Sequence, residues 1–180
     1  DTHNAEELEA IFKEAGTIDH LVSAAIGGER TIKPFIEQTE EQFKAAYGKL
    51  WGYAKVVRVG VPYVAQNGSV TLVSGSPARK ITPSTSALSC VGGSVENLVR
   101  CLAVELAPIR VNTVSPGTID TAMFDQFGDE RGERLAAMTS GHLIERGGTS
   151  EEVAEGLIFA MNNRFVTGTT VDVDGGRILS

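Results

Sequence analysis

The sequence predicts an α/β protein: a doubly wound parallel sheet of about four strands with helices on both faces. Three observations predict it. Short, β-branched apolar runs recur at residues 18–25, 68–74, 110–114 and 169–173. Stretches with apolar residues at helical spacing lie between them. The connections are long enough to hold a helix, and strand, helix and strand of these lengths form right-handed parallel crossovers. The four strands should therefore be parallel and lie in sequential order. The chain has 180 residues, 42% hydrophobic and 22% charged. That fits a single domain over residues 1–180 with a sizeable core.

The elements follow in order. Asn4 is the expected cap of the first helix, with Glu7 as its capping-box partner. Leu8, Ile11, Phe12 and Ala15 fall on one face, and Gly16 suits a left-handed stop. Residues 18–25 read as a buried strand and 26–30 as a loop. Thr39 with Gln42 opens a long helix over 40–61, ending near Pro62. Its inner side carries Phe43, Ala46, Tyr47, Leu50, Ala54 and Val57. Asn67-Gly68 signals a turn before the second strand. Val91, Val95, Leu98, Val99, Leu102 and Leu106 define a helix over 88–106, stopped by Pro108. A third strand follows, and Pro116-Gly117 turns the chain away. Residues 118–146 carry a weak helical pattern (Met123, Phe127, Leu135, Met138) broken by Gly128 and Gly132. A stretch of this size beside strand ends suits a lid or binding segment. Thr149 with Glu152 caps one more helix, and Asp174-Gly175-Gly176 ends the last strand.

Several function classes are disfavoured. A net charge of -7 argues against a nucleic-acid partner. No apolar run approaches the roughly 20 residues that span a bilayer, and no basic, apolar leader is visible, so no membrane partner is expected. Cys90 and Cys101 lie too far apart on one helix for a disulfide. Two free thiols suit a reducing, cytoplasmic location. Three scattered histidines with no paired cysteine spacing argue against a metal site. The chain begins at Asp1 and enters a helix at once, which reads as an incomplete or processed chain.

In such a sheet, function is decided at the carboxyl ends of the strands. Recognisable stretches run along and between these elements. These are Asp19-His20-Leu21-Val22 with Ala25, and Leu-Ala-Val-Glu-Leu-Ala-Pro-Ile-Arg-Val-Asn at 102–112. Val-Ser-Pro-Gly-Thr-Ile-Asp-Thr at 114–121 and Val173-Asp174-Gly175-Gly176 complete the set. Together they resemble the short-chain dehydrogenase/reductase superfamily over nearly the whole chain. The resemblance implies a Rossmann-like fold, of which this chain is the C-terminal portion, strands four to seven of seven. It implies NAD(P)-dependent hydride transfer to or from a carbonyl or alcohol in a small-molecule substrate. It also implies a homodimer or homotetramer through the helices at 40–61 and 88–106. For the cofactor it points to Ala25, Pro116, Gly117, Ile119 and Thr121. The stretch 116–121 would meet the nicotinamide carboxamide with its backbone and bring its last Thr near the phosphates. No Gly-x-Gly-x-x-Gly or Thr-Gly-x-x-x-Gly occurs, and without that turn this chain's own hold on NAD(P) is in doubt.

The sequence also departs from the family. The family's acid is a Tyr with a Lys one helical turn later, because a phenol of pKa near 10 needs a neighbouring ammonium to release its proton at neutral pH. Here those positions hold Leu88 and Gly92, and the family's catalytic Ser position holds Gly75. No Tyr follows Tyr63 and no Lys follows Lys80, so no register supplies the pair. The family's Asn in the preceding helix, in Asn-Leu-x-Gly, reads here as Lys49-Leu50-Trp51-Gly52. Lys49 with Ser74 is therefore the candidate catalytic pair, similar to an atypical branch with this Lys and with Ser-Gly at the strand end. Plainer readings stand beside it. Lys49 reads as a solvated lysine, and Ser74 and Ser76 as turn residues. Tyr53 reads as packing between helices rather than as a phenol beside an ammonium. Arg79-Lys80 reads as a solvated loop pair rather than an anion site. His142 reads as a surface histidine rather than a substrate contact. Two functions stay open: an active oxidoreductase, or a catalytically inactive binding or oligomerisation module or truncated fragment.

Overall fold

Four strands, β1 (Ile18–Ser23), β2 (Val64–Val73), β3 (Arg110–Pro116) and β4 (Thr170–Val173), lie side by side in sequence order. All three pairings are parallel. This computed structural model describes residues 1–26 and 30–180; Gly27, Gly28 and Glu29, in the loop expected over 26–30, lie outside the described residues. Leu21, Val70 and Val111 form one cross-strand row. They share a core cluster with Leu72, Tyr53, Val56, Val57, Val95 and Val99. This sheet face is thus covered by α3 (Gly48–Gly60) and α4 (Ser86–Glu105), with α1 (Ala5–Ala15) packed on α3. The opposite face carries α6 (Ser150–Asn162). Gly156 lets α6 close in, since a Cβ there would stand 2.6 Å from Val173 Cγ2. Burial on both faces explains why the central strands read as continuous apolar runs. Each fully buried Val or Leu contributes about 1.5–3 kcal/mol.

Several boundaries differ from expectation for identifiable reasons. Strand β2 starts at Val64, so Asn67-Gly68 sits inside it. The pairing jumps from Ile18↔Val64 to His20↔Ser69, which makes this stretch a bulge. Gly68 is required there because a Cβ would meet the Asp19 carbonyl oxygen at 2.5 Å. The helix expected over 40–61 is broken at Tyr47 into α2 (Glu40–Ala46) and α3. The Tyr47 N–H bonds back to the Lys44 carbonyl, a tight three-residue closure, and Gly48 follows. Of the face expected for α1, Leu8 and Phe12 are buried, whereas Ile11 is exposed because only the α3 side has a partner. The Asn4 side chain accepts from the N–H groups of Glu6 and Glu7; the Glu7 carboxylate takes the Asn4 side-chain amide instead of its backbone N–H.

Residues 122–139 form a 3₁₀ stretch, Ala122–Glu130, and then α5 (Arg131–Thr139). Gly128, at φ 51°, kinks the first; Gly132 lies within α5 and breaks nothing. Both expected capping boxes, Thr39 with Gln42 and Thr149 with Glu152, are formed. Contrary to the sequence expectation, α4 is long and apolar enough to cross a bilayer by length and composition. It buries Val91, Val95 and Val99 against the sheet, as a core helix does. The Arg110 guanidinium donates to the Ala160 carbonyl at 2.8 Å and caps the end of α6. The Asn112 amide ties the loop before β4 through the Val166 carbonyl at 2.9 Å.

Candidate active site

The strand ends place Lys49 and Ser74 together through a backbone atom. The Ser74 N–H continues the β2–β3 ladder to the Val114 carbonyl at 2.9 Å. The next ladder bond would run from the N–H of residue 116 to the Ser74 carbonyl. Residue 116 is Pro and has no N–H, so that carbonyl is left without a sheet partner. The Lys49 ammonium takes it, at 3.0 Å. Lys49 is the second residue of α3, just beyond the Tyr47 break. Its ammonium also lies 5.5 Å from the centre of the Tyr53 ring and pairs with no carboxylate among the described residues. Burial, and after it the Arg30 charge, lowers its pKa to about 8. A half-buried ammonium of that pKa can donate a proton near neutrality and be reloaded from water. Tyr53 packs as expected, 1% exposed, with its hydroxyl donating to the Val73 carbonyl at 3.1 Å. Burial pushes that phenol above its ordinary value, so it stays protonated.

The Ser74 hydroxyl faces α4. It donates to Glu96 Oε1 at 3.0 Å and accepts the N–H of Gly75. Glu96 is 5% exposed and pairs with Arg79 Nε at 3.3 Å. Arg79 also holds Asp172 with both guanidinium nitrogens, one at 2.9 Å. Arg79, expected as a solvated loop residue, keeps an exposed edge yet joins α4 to β4 in this way. The Arg79 charge and the Ser74 O–H hydrogen bond give the buried Glu96 carboxylate the compensation it needs.

The model of a family described as enoyl-(acyl carrier protein) reductase matches residues 1–177. With the strand order and the strand-end stretches, this settles the kinship. The chain belongs to the short-chain dehydrogenase/reductase superfamily. It is 34% identical over 185 residues to the short-chain dehydrogenase/reductase ATR9 of Stachybotrys chlorohalonatus, covering 96% of this chain and 70% of that protein. It is 33% identical over 176 residues to a glucose 1-dehydrogenase of Gluconobacter oxydans, covering 93% of this chain and 65% of that protein. The solved structure of a small-chain dehydrogenase in complex with NADPH superposes with a TM-score of 0.93 at 32% identity, covering all of this chain and 83% of that one.

The stretch expected to meet the nicotinamide carries one backbone donor and one backbone acceptor at Ile119. Ile119 bridges Gly148, and the bridge bonds are made by its neighbours: Gly148 N–H to the Thr118 carbonyl, and Asp120 N–H to the Gly148 carbonyl. A parallel bridge of this kind points the N–H and C=O of Ile119 the other way. Neither has a partner among the described residues. One donor beside one acceptor fits a carboxamide. Gly117 is needed because a Cβ would stand 2.7 Å from the Asp174 backbone; its N–H bonds the Val173 carbonyl. Pro116 ends β3 beside it. The Thr121 hydroxyl caps the 3₁₀ stretch at the Met123 N–H, 3.4 Å away. Ala25 lies half-buried just past β1 rather than within it. A cleft of about 370 Å³ opens beside the β3 and β4 ends, lined by Thr118, Ile119, Arg146, Glu152, Asp174 and Gly176. His142 is not at the surface as expected: it is 7% exposed. Burial and the Arg177 charge, opposed by Asp174, lower its pKa.

Leu88 and Gly92, expected at the superfamily's Tyr and Lys positions, lie within α4. The turn after β2 packs closely on Gly92: a Cβ there would meet Ala78 Cβ at 2.9 Å. Sequence reasoning missed Glu96. The available signal was a carboxylate one residue from Val95 on the buried stripe of α4, since an acid is rarely buried there without a partner.

Proposed function

We propose that this chain is the catalytic portion of an NAD(P)-dependent oxidoreductase that moves a hydride between a nicotinamide and a carbonyl or alcohol of a small molecule. The observation that carries the reading is the Lys49 ammonium, held at the end of β2 by the Ser74 carbonyl with its pKa lowered to about 8. When bound, the cofactor supplies or accepts the hydride. Lys49 gives the substrate oxygen its proton in reduction and takes it back in oxidation, the work that Tyr does elsewhere in the superfamily. Ser74 fixes the ammonium. Ile119 orients the carboxamide with its free N–H and C=O, Pro116 and Gly117 shape the wall beside it, and Ala25 and Thr121 flank the cofactor's path. The α3 and α4 surfaces, with Trp51 66% and Val104 80% exposed, support self-association as a homodimer or homotetramer. We assign the protein to the cytoplasm, with no nucleic-acid or membrane partner, on its net charge and two free thiols.

The rival reading, an inactive binding or assembly module, draws on Leu88, Gly92 and the Ala78 contact. Turnover separates the two. The full-length protein is assayed with NADPH and NADH against a panel of aldehydes and ketones, with cofactor fluorescence read in parallel. Active protein whose kcat falls by ~10²–10⁴ in Lys49→Ala, with cofactor affinity kept, supports the proton-donor role. Cofactor binding without turnover supports the module. Unchanged turnover in Lys49→Ala removes Lys49 from the chemistry.

A further inference from the structure

We propose that Glu96 is a positioning residue for Lys49, acting through the peptide unit between Ser74 and Gly75. The inference rests on the reading of Lys49 as proton donor. That peptide unit has two polar ends. Its C=O belongs to Ser74 and holds the Lys49 ammonium at 3.0 Å. Its N–H belongs to Gly75 and is held by the Ser74 hydroxyl oxygen. A planar peptide points these two groups in opposite directions, so fixing the N–H fixes the C=O. The hydroxyl is fixed in turn by its own bond to Glu96 Oε1 at 3.0 Å.

The peptides on either side are held, the Ser74 N–H by the Val114 carbonyl at 2.9 Å and the Gly75 carbonyl by the Ala78 N–H at 3.0 Å, but little else holds the one between them. The ladder has ended, because Pro116 brings no donor to the Ser74 carbonyl. Gly75 has no side chain, and a Cβ there would find nothing nearer than Pro77 Cδ at 3.5 Å. Free rotation of the peptide plane would swing the carbonyl away from α3 and release the ammonium. Glu96 is itself held: it is 5% exposed on α4 and paired with Arg79, which Asp172 on β4 holds from the other side. Helix α4 and strand β4 thereby set the orientation of a carbonyl at the end of β2, and through it the lysine of α3. The charged groups around the chain of contacts are Arg30 on the Lys49 side and Arg79 and Asp172 on the Glu96 side. Tyr53, the neighbouring phenol, is occupied by Val73.

The test needs no substrate. In full-length protein carrying ¹³C-labelled lysine, the Lys49 ε-carbon is titrated by NMR in wild type, Glu96→Gln, Ser74→Ala and the double variant. Thermal stability is measured alongside. Wild type should titrate near pH 8. Either single variant should let the ammonium swing out to water and move its midpoint up by at least one pH unit, toward the ordinary lysine range; a fall in the midpoint, which loss of the acceptor without release would give, overturns the proposal. The double variant should move it no further than either single, because both act on one peptide. A Lys49 midpoint that stays put in Glu96→Gln or Ser74→Ala, whatever happens to melting, overturns the proposal. So does a midpoint that moves in Glu96→Gln but not in Ser74→Ala, since the route through Ser74 is then wrong. Should Glu96→Gln fail to fold, Ser74→Ala carries the test, because it leaves the Arg79 pair in place. The Lys49→Ala turnover assay fails or succeeds independently: activity intact in Lys49→Ala sinks the proton-donor reading and with it any catalytic meaning of Glu96. Activity lost in Lys49→Ala but a fixed midpoint in the Glu96 and Ser74 variants sinks only the present proposal.

Discussion

Keeping Lys49 charged in a half-buried place costs folding free energy. Its pKa is lowered from an ordinary 10.5 to about 8, with burial the larger cause and the Arg30 charge the second. Between those values the unfolded chain keeps the proton and the folded chain releases it. Stability therefore rises with pH across that window, and the cost is complete below pH 8. Lys49→Met removes the charge and keeps the length. The relief of desolvation at pH 7, about 2–3 kcal/mol after allowance for partial solvation, is offset by about 1 kcal/mol or more for the Ser74 carbonyl left without its partner, so stability should rise by no more than about 1–2 kcal/mol, with the gain fading between pH 8 and 10. Calorimetric melting over that range checks both size and direction. A second expectation concerns Gly92. Restoring the superfamily's lysine there drives a Cβ to 2.9 Å from Ala78, and overpacking of that kind costs about 1–3 kcal/mol. Leu88→Tyr with Gly92→Lys should thus melt earlier than wild type and gain no turnover, as melting and steady-state assays would show. The pairing of Lys49 with Ser74 was legible through the resemblance. That the contact uses the carbonyl was not, because it follows from a register that brings Pro116 opposite Ser74. Glu96 went unread because the α4 stripe was recognised by its valines.

Helix α6 shows which features a local sequence can carry. Thr149 accepts from the Glu152 N–H at 3.2 Å, and the Glu152 carboxylate accepts from the Thr149 N–H at 2.8 Å. Both partners lie within four residues, so the motif needs no knowledge of the fold. Thr149→Ala should cost about 1 kcal/mol, read from denaturant midpoints. The Glu152 carboxyl is held down to about 2, first by the Arg146 hydrogen bonds and then by the Thr149 backbone. Its folded pKa lies below its ordinary carboxylate value. Its contribution is therefore present above the ordinary range and lost as pH falls toward 2. The difference in stability between wild type and Glu152→Gln should shrink over that acid range. Elements that depend on distant neighbours were not legible in the same way. The bulge at Gly68 demands glycine because the distant Asp19 carbonyl comes within 2.5 Å of where a Cβ would stand, and the Tyr47 break interrupts an apolar pattern that runs through both halves.

At the scale of the molecule, four short β-branched runs joined by helix-length connections were enough to give the parallel order, because handed crossovers leave few alternatives. What covers the outer surfaces was not readable from periodicity, since an apolar residue on an open helix face follows the same spacing as one in the core. Ile11 was expected inside and is 57% exposed; Trp51 and Val104, on the helices expected to pair, are 66% and 80% exposed. The proposed self-association would bury these side chains of α3 and α4 against a second copy. A charge placed at such a contact would lose its hydration on association without gaining a partner. Trp51→Glu and Val104→Glu should each weaken self-association at least tenfold, about 1.4 kcal/mol, in sedimentation equilibrium, and leave the monomer's melting unchanged. Wild-type protein that sediments as a monomer at micromolar concentration would remove the helix pairing from the account while leaving the Lys49 site untouched, because every contact described at that site is made within one chain.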